Sequence, residues 1–122
     1  MKRAILLAVL LLPAACQPMS HDAEARHLTG GEPSRGKKAI RRYGCGACHT
    51  IPGVAGAAAT VGPPLTQLGS RSYLAGRLVN SPENLVRWIR FPHQVDPKTA
   101  MPEMGVTDRD GRDIAAYLYT LR

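Results

Sequence analysis

The chain has 122 residues and a formal net charge of +7, to which Lys2 and Arg3 both contribute. A domain this short has a poor surface-to-volume ratio and gains from additional apolar mass in its core. The charge comes without an aromatic-rich or finger-like reader, which excludes nucleic acid as a partner.

At the N-terminus, Lys2 and Arg3 precede an uninterrupted apolar run from Ala4 to Leu12, and small residues follow before Cys16. This is the pattern of a secretory signal over residues 1–15. The run is too short to cross a bilayer as a helix. Leu12-Pro13-Ala14-Ala15-Cys16 resembles a bacterial lipoprotein cleavage box, with proline where an aliphatic residue is usual. That resemblance implies a lipidated Cys16 and an anchored protein on the periplasmic side of a bacterial membrane. Cleavage by the ordinary signal peptidase is the alternative, and it leaves a free thiol in an oxidising compartment. Residues 16–35 hold Gly, Pro, Ser, His, Asp and Glu without an apolar period, and read as a flexible tether. The domain proper is expected over 36–122.

Its first helix is expected over Gly36 to Tyr43, where Ala39, Ile40 and Tyr43 form an apolar stripe among basic residues. Arg35, Lys37, Lys38, Arg41 and Arg42 concentrate the positive charge there, either to steer an acidic partner or as a solvated helix face. Residues 50–79 are rich in Gly, Pro, Ala and Thr and show no hairpin pair. Such a long irregular stretch needs something to wrap around. A second helix follows Asn80-Ser81-Pro82: Asn80 or Ser81 caps it, Pro82 suits the first turn, and Pro92 ends it. Leu85, Trp88 and Ile89 give it an apolar face. The last helix begins near Thr107, with Asp108 and Asp110 favouring its N-terminus, and packs through Ile114, Tyr117, Leu118 and Leu121.

Between the first helix and the irregular stretch stands Cys45-Gly46-Ala47-Cys48-His49, the local pattern for covalent attachment of a c-type haem. Two thiols at this spacing add across the haem vinyl groups, and the adjacent imidazole of His49 reaches the iron. A thioredoxin-like dithiol is the main chemical alternative, but it requires a strand-rich context. Zinc would require four ligands, and no second close Cys pair exists. Low-spin haem needs a sixth ligand. Met101 and Met104 precede the last helix; Met101 is favoured and Met104 held in reserve. His93, just beyond Pro92, is a third candidate that reads better as an exposed loop residue. For each methionine, ordinary gap-filling is the competing role.

The haem motif, Gly62-Pro63, Leu65, Arg71, the Leu85-to-Pro92 helix, Met101-Pro102 and the Ile114-to-Leu118 segment together resemble a class I cytochrome c. The likeness extends to small bacterial cytochrome domains associated with respiratory oxidases. It implies a compact all-α fold of three main helices and long loops around one covalent haem c. It further implies that the Pro63 carbonyl accepts a hydrogen bond from His49, that Arg71 neutralises a propionate, and that Trp88 lies near the haem and its methionine. Gly36, Ile40 and Tyr117 resemble the positions at which the first and last helices cross. The register differs by one residue from the mitochondrial-like pattern, and Ile40 stands where an aromatic is common.

With both axial positions closed, the expected chemistry is reversible single-electron transfer, with no enzymatic activity of its own. The expected partners are redox proteins, a respiratory oxidase or a dehydrogenase complex. A tethered shuttle and a permanent subunit of a hetero-oligomer both accommodate an anchored chain. A haem enzyme with a labile sixth ligand is the third class.

Overall fold

The computed structural model describes residues 18–122; the signal over 1–15 and Cys16 lie outside the described residues. Five helices are present among them: α1 (His21–Thr29), α2 (Pro33–Arg42), α3 (Pro82–Arg90), α4 (Pro92–Val95) and α5 (Asp108–Thr120). Two-residue strands β1 (Tyr73–Leu74) and β2 (Leu78–Val79) form the one ladder, so the all-α class holds. No helix of the described residues is long and apolar enough to cross a membrane.

The three expected helices are α2, α3 and α5, and they form for the expected reasons. Thr107 accepts the Asp110 amide at 3.1 Å to cap α5. Ser81 accepts the Asn84 amide at 3.2 Å to cap α3, with Pro82 in the first turn. Ser81 therefore takes the capping role and leaves the Asn80 side chain for other bonds. Pro92 does end α3, and its fixed φ then opens the single turn of α4. On α3 the fully buried face is Leu85, Val86 and Ile89, while Trp88 is only half-buried.

The flexible tether expected over 16–35 is corrected over its described part. Ser20 caps α1 by accepting the Ala23 amide at 3.2 Å, and left-handed Gly30 closes the helix. The helix escapes the apolar-period test because small residues do its packing. Ala25 and Thr29 are 0% and 2% exposed, and Thr29 satisfies its hydroxyl by donating to the Ala25 carbonyl. Arg122 reaches Glu24 at 2.7 Å, tying the other end of the chain to α1. The second helix starts at Pro33, earlier than the expected Gly36, because proline occupies its first turn.

The core lies where α2 crosses α5. Gly36 lets the two backbones meet: a Cβ there would run into the Asp113 carbonyl. Ile40, Ala39, Ile114, Ala115 and Ala116 are all at most 2% exposed around this crossing. Burial of side chains the size of Ile40 and Ile114 stabilises by roughly 1.5–3 kcal/mol each. Asp113 is buried at the same crossing and is held by Arg35, through two bonds of 2.8 Å, and by the Glu32 amide at 2.7 Å. A buried carboxylate is tolerable only with partners of this kind.

The expectation that residues 50–79 hold no hairpin is also corrected. Tyr73 pairs with Val79 and Leu74 with Leu78 across a turn in which Ala75 and Gly76 both have positive φ. Two residues per strand are too few for alternation to show in the sequence. The rest of 50–79 is irregular apart from a 3-10 turn at Leu68–Ser70 and a single bridge between Thr50 and Ala58.

Candidate functional site

The site begins where α2 stops. Gly44, left-handed at φ 73°, turns the chain into a 3-10 turn at Cys45–Ala47. The Cys48 and His49 amides both donate to the Cys45 carbonyl, at 3.2 and 3.1 Å, so the two thiols and the imidazole leave one tight turn. Gly46 permits this turn to press on Ala57, which a Cβ would meet at 2.9 Å. Both thiols are half-buried and unpaired. Burial pushes the Cys45 thiol above its ordinary range, offset in part by a backbone hydrogen bond.

The imidazole of His49 is fixed from the opposite side by the 62–66 loop. Its Nδ1 lies 2.7 Å from the Pro63 carbonyl oxygen. A carbonyl can only accept, so Nδ1 carries the proton and Nε2 keeps its lone pair for a metal. Gly62 lies against the ring, where a Cβ would come within 2.5 Å of Cε1, and its amide donates to the Cys48 carbonyl at 2.7 Å. The Leu65 amide donates to Thr50 at 2.9 Å and closes the loop on the segment after His49. From α5, the Tyr117 hydroxyl donates to the Pro52 carbonyl at 2.6 Å. Tyr117 therefore serves the loop after the cysteines as well as packing against the core.

Arg71 belongs to the same assembly. Its guanidinium donates to the Pro64 and Thr66 carbonyls at 2.6 and 2.8 Å, gripping the loop that carries Pro63. Cys45, Cys48, His49, Pro63 and Arg71 are thus brought together by short bonds. Met101 and Trp88 lie on other elements, the 96–107 loop and α3, and no hydrogen bond among the described residues joins their side chains to the group. Met101 is half-buried at the end of turns built on Asp96 and Thr99, whereas Met104 is 40% exposed. His93 is exposed and sits 3.9 Å from Glu103.

The basic cluster of α2 is partly used within the fold. Arg35 pairs with Asp113 and Arg42 with Asp110, leaving Lys38 and Arg41 exposed on the helix surface. Sequence reading missed Asn80 and Tyr119, whose side chains meet at 2.7 Å behind Arg71. The available signal was redundancy: with Ser81 adjacent and able to cap α3, Asn80 was free for another task.

These donors fit a covalently attached haem. The thiols are free, the imidazole presents Nε2, and Cys45, Leu65 and Leu78 are half-buried apolar groups packed against the core. No group of three or more His, Cys, Asp or Glu residues able to hold a metal exists among the described residues, which removes the zinc reading there. Among the described residues the one short ladder likewise denies the strand-rich context of a thioredoxin-like dithiol.

Comparison with known proteins agrees with this geometry. The family model described as cytochrome c matches residues 33–122. Cytochrome c oxidase subunit 2 of Alkalihalophilus pseudofirmus is 33% identical over 101 residues, covering 82% of this chain and 29% of that protein. The chain therefore spans less than a third of that relative's length.

Proposed function

The chain belongs to the cytochrome c family, and from that premise we propose that it transfers single electrons through one low-spin haem c with His49 and Met101 as axial ligands. Family membership implies the covalent haem c and a role in electron transfer; the ligand set and the partner are the proposal. When bound, the haem supplies a one-electron iron couple. Cys45 and Cys48 would hold it by thioether bonds, and the turn at 45–47 sets their spacing. Pro63 holds the Nδ1 proton of His49, which makes the imidazole a stronger electron donor through Nε2. Met101 as the second iron ligand would favour the reduced state relative to a second histidine. Its half-burial, against the exposure of Met104, supports this choice. Trp88, half-buried on α3, would by the family resemblance lie near the haem and its methionine.

The single observation that carries the reading is the 2.7 Å contact between His49 Nδ1 and Pro63 O, which prepares Nε2 for a metal. The test is the absorption spectrum of the oxidised holoprotein. Met101→Ala abolishes the sulfur-to-iron charge-transfer band and admits carbon monoxide to the reduced protein, while Met104→Ala does neither. Rapid carbon monoxide binding by the unsubstituted protein would instead indicate a haem enzyme with a labile sixth ligand.

The partner in this reading is a respiratory oxidase, because the relative is named as a subunit of one. A dehydrogenase complex is the alternative. With Cys16 lipidated, the protein works on the periplasmic side of the membrane, as a shuttle or as a permanent subunit. Gentle detergent extraction separates these two: co-purification with one redox complex at fixed ratio marks the subunit, and recovery alone marks the shuttle. Mass spectrometry of the mature N-terminus tests the lipid.

A further inference from the structure

We infer that Asn80 and Tyr119 are positioning residues for the axial imidazole, acting through Arg71 and the 62–66 loop as a polar strut from the end of α5 to His49. The inference rests on the reading that His49 ligates the haem iron.

The strut is continuous. The Tyr119 hydroxyl donates to Asn80 Oδ1 at 2.7 Å. The Asn80 amide nitrogen then donates to two carbonyls, Leu68 at 2.9 Å and Arg71 at 2.8 Å. Arg71 passes the constraint on through its bonds to Pro64 and Thr66, and Pro63 delivers it to His49 Nδ1. Each side-chain donor in the line ends on a backbone carbonyl or an amide oxygen, so the line fixes the path of the main chain.

Two further observations show that this path is set by its surroundings. Gln67, between the carbonyls gripped by Arg71 and Asn80, has φ 53°, a left-handed conformation that a non-glycine residue keeps only when its surroundings impose it. The 3-10 turn at Leu68–Ser70 is pressed onto the end of α5, where the Gly69 amide donates to the Leu121 carbonyl at 2.9 Å and a Cβ on Gly69 would strike the Tyr119 carbonyl. Tyr119 is 5% exposed, so its hydroxyl has no easy exchange of partner with water. Arg71 is expected by resemblance to serve a propionate, and its bonds to Pro64 and Thr66 give it a place in the loop as well.

The direction of the effect follows from ligand basicity. A firm bond from Nδ1 to Pro63 makes the imidazole more electron-donating and stabilises oxidised iron. Slackening the strut weakens that bond and raises the reduction potential. Asn80 and Tyr119 carry no charge, so their replacement shifts the potential without altering the charge around the haem.

The experiment uses the full chain with haem attached, as Asn80→Ala, Tyr119→Phe, the double variant, and Ile114→Val as a core control. Reduction potential and the paramagnetically shifted proton resonances of His49 are measured alongside thermal unfolding. Asn80→Ala is expected to raise the one-electron equilibrium constant by up to about tenfold, or about 59 mV. Tyr119→Phe should move it the same way by less, and the double variant by no more than Asn80→Ala, since both act on one line. Ile114→Val should lower the unfolding midpoint and leave potential and resonances in place. Should Asn80→Ala fail to fold, Tyr119→Phe decides alone. Variants that lose stability but keep the parent potential and His49 resonances overturn the strut. A parent protein without His49 resonances overturns the ligand reading itself and the strut with it.

Discussion

The crossing of α2 with α5 and the segment from Cys48 to Asn80 are held together by different physics. At the crossing, glycine and alanine bring two backbones into contact and aliphatic side chains fill the remaining space, so order comes from burial. The segment from 48 to 80 anchors itself in the core at Ile51, Val54, Ala57, Leu68 and Leu74 but has little regular structure. Between these anchors its path is set by discrete polar bonds, nearly all of them ending on carbonyls: Tyr117 on Pro52, Arg71 on Pro64 and Thr66, Asn80 on Leu68 and Arg71. Burial is tolerant of small displacements, whereas a hydrogen bond weakens steeply with angle and distance. The part of the molecule that must aim an imidazole is the part built from directional contacts.

Two glycines separate these regions most sharply. Gly36→Ala drives a Cβ into the Asp113 carbonyl and must spread the helices, so a loss of about 3 kcal/mol is expected in denaturant unfolding of the holoprotein. Gly62→Ala places its Cβ against the His49 ring, at 2.5 Å from Cε1. Here a smaller loss, of about 1–2 kcal/mol, is expected, because the Cβ meets a side-chain ring rather than a helix backbone. Its signature is a displaced His49: altered axial-ligand absorption with helix content unchanged. If Gly36→Ala perturbed the ligand band as much as Gly62→Ala, the two regions would be one mechanical unit.

A smaller effect is expected at the junction of α1 with the rest. Thr29 donates to Ala25 and accepts the Gly31 amide at 3.0 Å, and it is buried. Thr29→Ala leaves that amide without its partner, at a cost of about 1 kcal/mol. A midpoint identical to the parent's in thermal unfolding would mean that the Thr29 hydroxyl contributes nothing to holding the end of α1.

The difference between the regions also governs what could be read from sequence. Ile40, Leu85, Ile114 and Leu118 announced their helices by periodicity, and Thr107, Ser81, Pro82 and Pro92 marked the ends by local chemistry. The cysteines and His49 were legible because covalent chemistry fixes their spacing. The α1 helix was not, since Ala25 and Thr29 pack through smallness and carry no hydrophobic signal. Nor was the hairpin at 73–79, which is too short to alternate. The Asn80–Tyr119 contact joins residues 39 apart in sequence, and only the tertiary fold brings them together.

The two regions should finally separate along the pH axis. Glu32, beside the crossing, has its carboxyl lowered to about 2, chiefly by the hydrogen bond from Arg26. A carboxylate with a depressed folded-state pKa contributes stability above its ordinary pKa and loses it as pH falls. The loss from Glu32 therefore runs from about 4.5 down to about 2. Both partners are partly exposed, so the effect is small and shrinks with added salt. Tyr119, at the head of the strut, is pushed up to about 12, first by burial and then by the charge of Glu83. A raised pKa acts in the opposite sense: its contribution is complete below 10 and is lost as pH rises towards about 12, because the unfolded chain ionises first. Ionised Tyr119 would also turn an acceptor towards Asn80 Oδ1 and break the bond that starts the strut. Unfolding midpoints followed by circular dichroism across pH should show Glu32→Gln flattening only the acid limb and Tyr119→Phe only the alkaline one. A Tyr119→Phe protein that keeps the parent's alkaline limb would place the alkaline weakness elsewhere than the strut.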